Sequence, residues 1–153
     1  MRVLAIDPGP VESAYVVYDG SVLEFNKLPN DKMLGTLATQ YLSSMNDCLV
    51  VEMIESFGMS VGKEVFETVW WTGRFCQLGE PFHRVYRKEV KMHLCKSMRA
   101  KDANIRQALI DRFGPGKEKA IGKKKSPGPL YGLSGDCWSA LAVAVTFCDT
   151  RSA

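Results

Sequence analysis

Three carboxylates punctuate the apolar stretches of this chain. Asp7 ends the run Arg2-Val-Leu-Ala-Ile-Asp7, Glu52 ends Cys48-Leu-Val-Val-Glu52, and Asp136 opens the apolar stretch that reaches Cys148. Each has a plain structural explanation. Asp-Pro-Gly is a common turn, a glutamate can finish a strand at the surface, and an aspartate beside Ser134 and Gly135 can cap a helix. Their joint placement favours chemistry instead. Carboxylates gathered with no neutralising base in the local sequence repel one another and require a cation. Hard oxygen ligands at a sheet edge suit Mg2+ or Mn2+, and two such ions can activate a water and stabilise the leaving oxygen of a phosphodiester.

Other metal chemistry is excluded by composition. The five cysteines are odd in number, widely spaced, and never form a Cys-x-x-Cys pair, and the only histidines are His83 and His93. A zinc site is therefore not expected. The net charge of +3 hides an asymmetry: residues 1–80 hold five Lys/Arg against eleven Asp/Glu, and residues 81–153 hold fifteen against six. Either the lysines and arginines are solvated covering, or a polyanion-binding face lies beside the carboxylate cluster.

The elements that must position these residues follow from periodicity. Residues 2–7 are apolar on both faces, as in a central buried strand, and Pro8-Gly9-Pro10 stops it. Strands over 13–18 and 21–25 flank the hairpin signal Asp19-Gly20. A helix over 33–45 follows, with Leu34, Leu37, Ala38, Tyr41, Leu42 and Met45 at helical spacing, and then a strand over 48–52. The next helix, 60–78, has its stripe through Val61, Val65, Val69, Gly73 and Cys76, with Trp70 beside it. A strand over 82–86 precedes helices over 87–95 and 102–113, the latter capped by Asp102. Residues 114–132, rich in Gly, Pro and Lys, read as a mobile basic loop. The last helix, 136–148, is apolar enough to be largely buried, with Asp136 in its first turn. Length and order give one domain over 1–153, of class α/β, with a mixed five-stranded sheet flanked by helices. No apolar run approaches the ~20 residues that cross a bilayer, and the N-terminus enters a strand at once. A soluble cytoplasmic protein without membrane contact is the expectation.

Val3-Leu-Ala-Ile-Asp-Pro-Gly9, the Val-Val-Glu52 strand and Asp136-Cys-Trp-Ser-Ala-Leu-Ala-Val-Ala144 together resemble the three motif regions of RuvC-type Holliday junction resolvases, which have the ribonuclease H-like fold. The resemblance spans nearly the whole chain, in order. It implies that Asp7, Glu52 and Asp136 are catalytic and bind Mg2+, with Mn2+ substituting, to hydrolyse phosphodiesters in Holliday junctions. One position departs from the pattern. Where the family's last helix offers a further acidic residue, this chain has Ser139, a weak ligand at most. Glu55 could complete the shell if the backbone turns at Ile54.

The segment after Glu52 and the Gly/Lys-rich stretch look more like the shorter resolvase-like proteins of bacteriophages and prophages. Family members engage unstacked bases with an aromatic beyond the second carboxylate, which makes Phe57 the candidate; packing under its loop is the alternative. Candidate DNA contacts are Lys63, the cluster Arg84, Arg87, Lys88 and Lys91, and the loop lysines Lys117, Lys119, Lys123, Lys124 and Lys125. The resemblance also implies that one of the loop lysines helps to stabilise transition-state charge. It further implies a homodimer, because a four-way junction has two symmetry-related strands to cut. Trp70, Trp71 and Phe75 would extend the interface of helix 60–78, unless they belong to the core. Two other functions stay open: a nuclease for flaps or other branched DNA, and a branched-DNA-binding protein of the same fold without catalysis.

Overall fold

A computed structural model describes residues 1–42 and 46–151, with the backbone alone for 40–42. Strand β1 (Val3–Asp7) has Val3, Leu4, Ala5 and Ile6 wholly buried. A run apolar on both faces can be stable only between two covering layers. It pairs antiparallel with β2 (Glu12–Tyr18), which pairs antiparallel with β3 (Val22–Pro29). On its other side β1 lies parallel to β4 (Cys48–Met53), and β4 parallel to β5 (Phe82–Tyr86). The order β3-β2-β1-β4-β5 is the mixed five-stranded sheet expected.

Period-two alternation divides the sheet into two faces. Val3, Ala5, Ala14, Val16, Cys48, Val50 and Val85 face α6 (Cys137–Arg151). Leu4, Ile6, Tyr15, Val17, Leu49 and Val51 face α1 (Asn30–Leu42) and α2 (Lys63–Leu78). Ten consecutive-or-near residues of α6, from Cys137 to Phe147, are buried. The remaining helices, α3 (Arg87–Cys95) and α4 (Asp102–Phe113), pack beside α6. Asp149 of α6 ties them together: both Arg112 nitrogens donate to it at 2.6 and 2.8 Å, and His93 Nε2 lies 2.7 Å away. No helix among the described residues is long and apolar enough to cross a membrane.

The structure corrects several expectations. Helix α1 begins at Asn30, three residues early, and of its expected stripe Tyr41, Leu42 and Met45 lie outside the described side chains. Helix α2 begins at Lys63, and its buried stripe is Thr68, Thr72, Phe75 and Cys76. Of the predicted stripe Cys76 is buried and Val65 half-buried, whereas Val69 and Val61, the latter ahead of the helix, are exposed. The Thr68 and Thr72 hydroxyls donate to carbonyls one turn back, at 2.9 and 2.8 Å, so the two threonines enter the interior already satisfied. Helix α4 is capped by Lys101, whose N–H donates to Asn104 Oδ1, while Asp102 sits in the first turn and pairs with Arg87.

The basic segment 114–132 is ordered. Helix α5 (Lys117–Ala120) leads into a two-residue hairpin, β6 (Gly122–Lys123) and β7 (Ser126–Pro127), with Lys124 and Lys125 at its tip. Gly128 N–H donates to Ile121 O at 2.9 Å and Leu130 N–H to Ala120 O at 2.8 Å. Backbone approaches backbone so closely that a Cβ on Gly128 would lie 2.3 Å from Lys119 O. The glycines that suggested mobility instead permit tight packing. Gly128→Ala should therefore destabilise the fold by roughly 1–3 kcal/mol in urea unfolding, the range for overpacking; a neutral result would return the segment to a loop.

Candidate active site

Asp7 continues the odd-numbered series of β1 and Glu52 the even-numbered series of β4, so both point to the α6 face. The parallel register sets Ile6 beside Val51, and the next step sets Asp7 beside Glu52. Chain direction puts both at the carboxyl ends of their strands, where α/β sheets characteristically hold ligands. Asp136 immediately precedes α6, and its carbonyl accepts the Ala140 N–H at 3.0 Å. The three carboxylates come within electrostatic reach of one another at the carboxyl ends of β1 and β4, because α6 crosses the face on which the first two stand.

Two local devices fix the carboxylates. The turn after Asp7 is held by a triangle: Gly9 N–H donates to Ser13 Oγ (3.1 Å), Ser13 Oγ to Asn30 Oδ1 (2.6 Å), and Asn30 Nδ2 to Gly9 O (2.9 Å). Ser13 and Asn30 are buried, and a Cβ on Gly9 would lie 2.3 Å from Glu12 O. Before Asp136, the Trp138 indole N–H donates to Leu133 O at 3.0 Å, with Leu130 and Leu133 buried in the α6-side core.

The electrostatics are those of crowded negative charge. Burial pushes the Asp7 carboxyl up to about 8, reinforced by Glu52 and then Asp136 and opposed by Arg87 and Lys27. Burial also raises Glu52, against the lowering influence of Arg87. Arg87 Nη1 stands 3.7 Å from Glu52 Oε2, and its Nη2 bonds Asp102. Neither Arg87 Nη1 nor Glu52 Oε2 has a hydrogen-bond partner, although both are buried. Lys27 Nζ lies 2.8 Å from Asp136 Oδ2 and 3.7 Å from Glu12. Among the described residues, no three Asp, Glu, His or Cys side chains are gathered closely enough to enclose an ion. A buried carboxylate oxygen without a hydrogen bond, beside a second carboxyl whose charged form burial disfavours, is nevertheless the donor set that a hard divalent cation would satisfy.

The other candidates divide. Beta-strand geometry ends at Met53, so the chain does leave the strand at Ile54, and Glu55 lines a cavity of about 300 Å³ with Glu52, Phe57, Arg87, Lys88 and Lys91. Its Oε1 accepts from Lys88 Nζ at 2.7 Å. Phe57 is 76% exposed and does not pack under its loop. Ser139 is half-buried and shares a cavity of about 400 Å³ with Arg87, Asp102, Arg106 and Asp136. Lys117 and Lys123 line one cavity on the hairpin, and Lys119, Lys124 and Lys125 are exposed near it. Lys63 is exposed at the start of α2. Arg84 is not brought to this site: alternation with buried Val85 turns it to the opposite face, into a cavity with Val69 and Met53. Lys27, Arg106, Ser13 and Asn30 were not expected. Only Lys27 left a trace in sequence, through its alternation with Phe25 on β3.

No family model and no curated protein matches the chain. Solved structures do. Thermus thermophilus RuvC in complex with a Holliday junction substrate superposes with a TM-score of 0.66 at 19% identity, covering 99% of this chain and 94% of that one. A second Thermus thermophilus RuvC structure gives 0.63 at 18%, covering 99% and 97%. From end to end the chain has the fold of these RuvC structures.

In chelator, folded Asp7 retains a proton that the unfolded chain releases once pH exceeds the ordinary aspartate value of 3.8. The native state thus binds more protons, and this group's contribution to stability falls as pH rises from about 4 to about 8. Asp7→Asn abolishes that loss, so in EDTA at pH 8–9 the variant should be more stable than wild type by roughly 2 kcal/mol or more. The gap should close toward pH 4–5; thermal unfolding across pH measures it, and a constant gap would refute the assignment.

Proposed function

We propose that the chain is a single nuclease domain that hydrolyses phosphodiesters in Holliday junctions, a metal-dependent and structure-selective endonuclease. The observation that carries the reading is the mutual electrostatic influence of Asp7, Glu52 and Asp136 beside the carboxyl ends of β1 and β4, in a fold shared with a RuvC bound to such a junction. Asp7, Glu52 and Asp136 would hold Mg2+, or Mn2+ in its place, exchanging the Lys27 and Arg87 charges for that of the ion. The cation supplies Lewis acidity and a water that loses its proton readily. Glu55 shares a cavity with Glu52, and Ser139 shares one with Asp136, so each would support a water bound there.

The chain's own groups do the rest. Phe57, exposed beside Glu52, offers a face on which an unstacked base can rest. Lys88 and Lys91 line the same cavity, and Lys63 and the hairpin lysines Lys117, Lys119, Lys123, Lys124 and Lys125 supply further phosphate contacts. On α2, Phe66 and Trp70 are 65% and 64% exposed, with Val69 between them. Such a strip on an ordered helix favours burial against a second copy, which would present two active sites to two symmetry-related strands. Cutting of flaps or other branched DNA is separated from junction cutting by a substrate panel. Ser139 is the observation that favours a binding protein without catalysis.

Asp7→Asn should abolish Mg2+-dependent cleavage of a synthetic four-way junction while junction affinity changes by less than about threefold, measured by gel shift in Ca2+. If wild type cuts no branched DNA with either Mg2+ or Mn2+, the binding-protein reading replaces this one. Sedimentation should show a dimer that Trp70→Glu converts to monomer; a monomeric wild type at high micromolar concentration removes the homodimer.

A further inference from the structure

The cavity between α3, α4 and the start of α6 sets two guanidiniums, Arg87 and Arg106, beside the carboxylates of Asp102 and Asp136. It holds about 400 Å³ and is lined by Arg87, Asp102, Arg106, Asp136 and Ser139 among others. Arg106 lies 4.6 Å above the ring of Trp138, which is itself only 7% exposed and anchored through its indole N–H. The guanidinium is thereby positioned without consuming its hydrogen-bond donors. Arg87 is the second cation; its buried Nη1 makes no hydrogen bond and stands 3.7 Å from Glu52 Oε2. Its Nη2 partner, Asp102, has a side chain 87% exposed, so this ion pair yields to a competing anion at little cost. Ser139, also on the wall, brings a neutral hydroxyl, a weak ligand for a further divalent ion.

We propose that this cavity binds the scissile phosphate, and that Arg87 and Arg106 there supply the positive charge that a second carboxylate-held cation would otherwise bring, so that each active site works with one divalent ion. The inference rests on the nuclease reading. Two guanidiniums suit the task because each can donate two parallel bonds to phosphate oxygens. Hydrolysis joins a water oxygen to phosphorus and breaks one bridging P–O bond. The water loses one proton, the departing oxygen gains one, and no electrons are exchanged with any other reactant. Arg87 and Arg106 act by neutralising the charge that grows on the non-bridging and departing oxygens.

Mn2+ titration of the full-length protein, followed by the electron paramagnetic resonance signal of free ion, should show one ion bound per chain. Ser139→Asp should raise this to two. Arg106→Gln should slow single-turnover junction cleavage at saturating Mg2+ by about 100-fold, while junction affinity in Ca2+ changes less than about threefold. Arg87→Gln should do the same; if that variant unfolds because Glu52 loses its counter-charge, the exposed Arg106 carries the test alone. Inorganic phosphate should bind the Mg2+-loaded protein about tenfold more weakly after Arg106→Gln, read by phosphorus NMR. Two Mn2+ ions on wild type, or an Arg106→Gln rate within threefold of wild type, overturns the proposal. If wild type cuts no branched DNA, the nuclease reading fails by itself, and the ion count and phosphate affinity still decide the role of the cavity.

Discussion

Burying two carboxylates side by side is the constraint on which the rest of this structure depends. Asp7 and Glu52 occupy neighbouring strand ends on one face of the sheet, and desolvation raises both. In water such a pair would separate. Here the parallel β1–β4 ladder forbids it, because each carboxyl is the next residue of a strand whose preceding four are locked in the core. The molecule answers with protonation and with positive charge from outside the sheet, Arg87 toward Glu52 and Lys27 toward Asp136. Neither answer is complete, since Glu52 Oε2 and Arg87 Nη1 are left without hydrogen bonds. That residual frustration is energetically expensive for a fold, and it is what the proposed cation and phosphate would relieve.

Rigidity around the carboxylates comes from neutral groups. The Ser13–Asn30–Gly9 triangle closes the turn after Asp7, and the Trp138–Leu133 bond closes the turn before Asp136. Asn30 alone is distant in sequence, and both devices keep charged side chains out of the structural role. Neither carboxylate is spent on holding its own turn, although Asp136 pairs with Lys27.

The two faces of the sheet have different fates. The α6 face is dry, covered by a helix buried on nearly every side, and it delivers Asp136 to the site. The α1–α2 face is covered by a helix that keeps Phe66, Val69 and Trp70 outside. The acidic and basic halves of the chain follow this plan: strands from the first half bring Asp7 and Glu52, and helices from the second bring Arg87 and Arg106 to the same edge.

Much of this was legible in the sequence. Local pattern decides which residues form strands and which end them, so β1, β4, β5, α3 and α4 lie where periodicity puts them and Asp7 and Glu52 stand at strand ends. The three-part motif resemblance was sufficient to anticipate the sheet. What local pattern cannot contain is the rotation of a helix about its axis or the partner of a charge. The burial of Thr68 and Thr72 in place of Val65 and Val69, the turning of Arg84 to the far face, and the pairing of Lys27 with Asp136 were decided by tertiary packing. Glycine misled in segment 114–132 because the same missing Cβ permits either freedom or the close backbone contact that Gly128 makes with Lys119 and Ala120. The sequence by itself determined that Asp7 and Glu52 would stand at strand ends and Asp136 at the start of the last helix. Only the assembled fold decided which cations would face them, because counter-charges are chosen by distance in space and not along the chain.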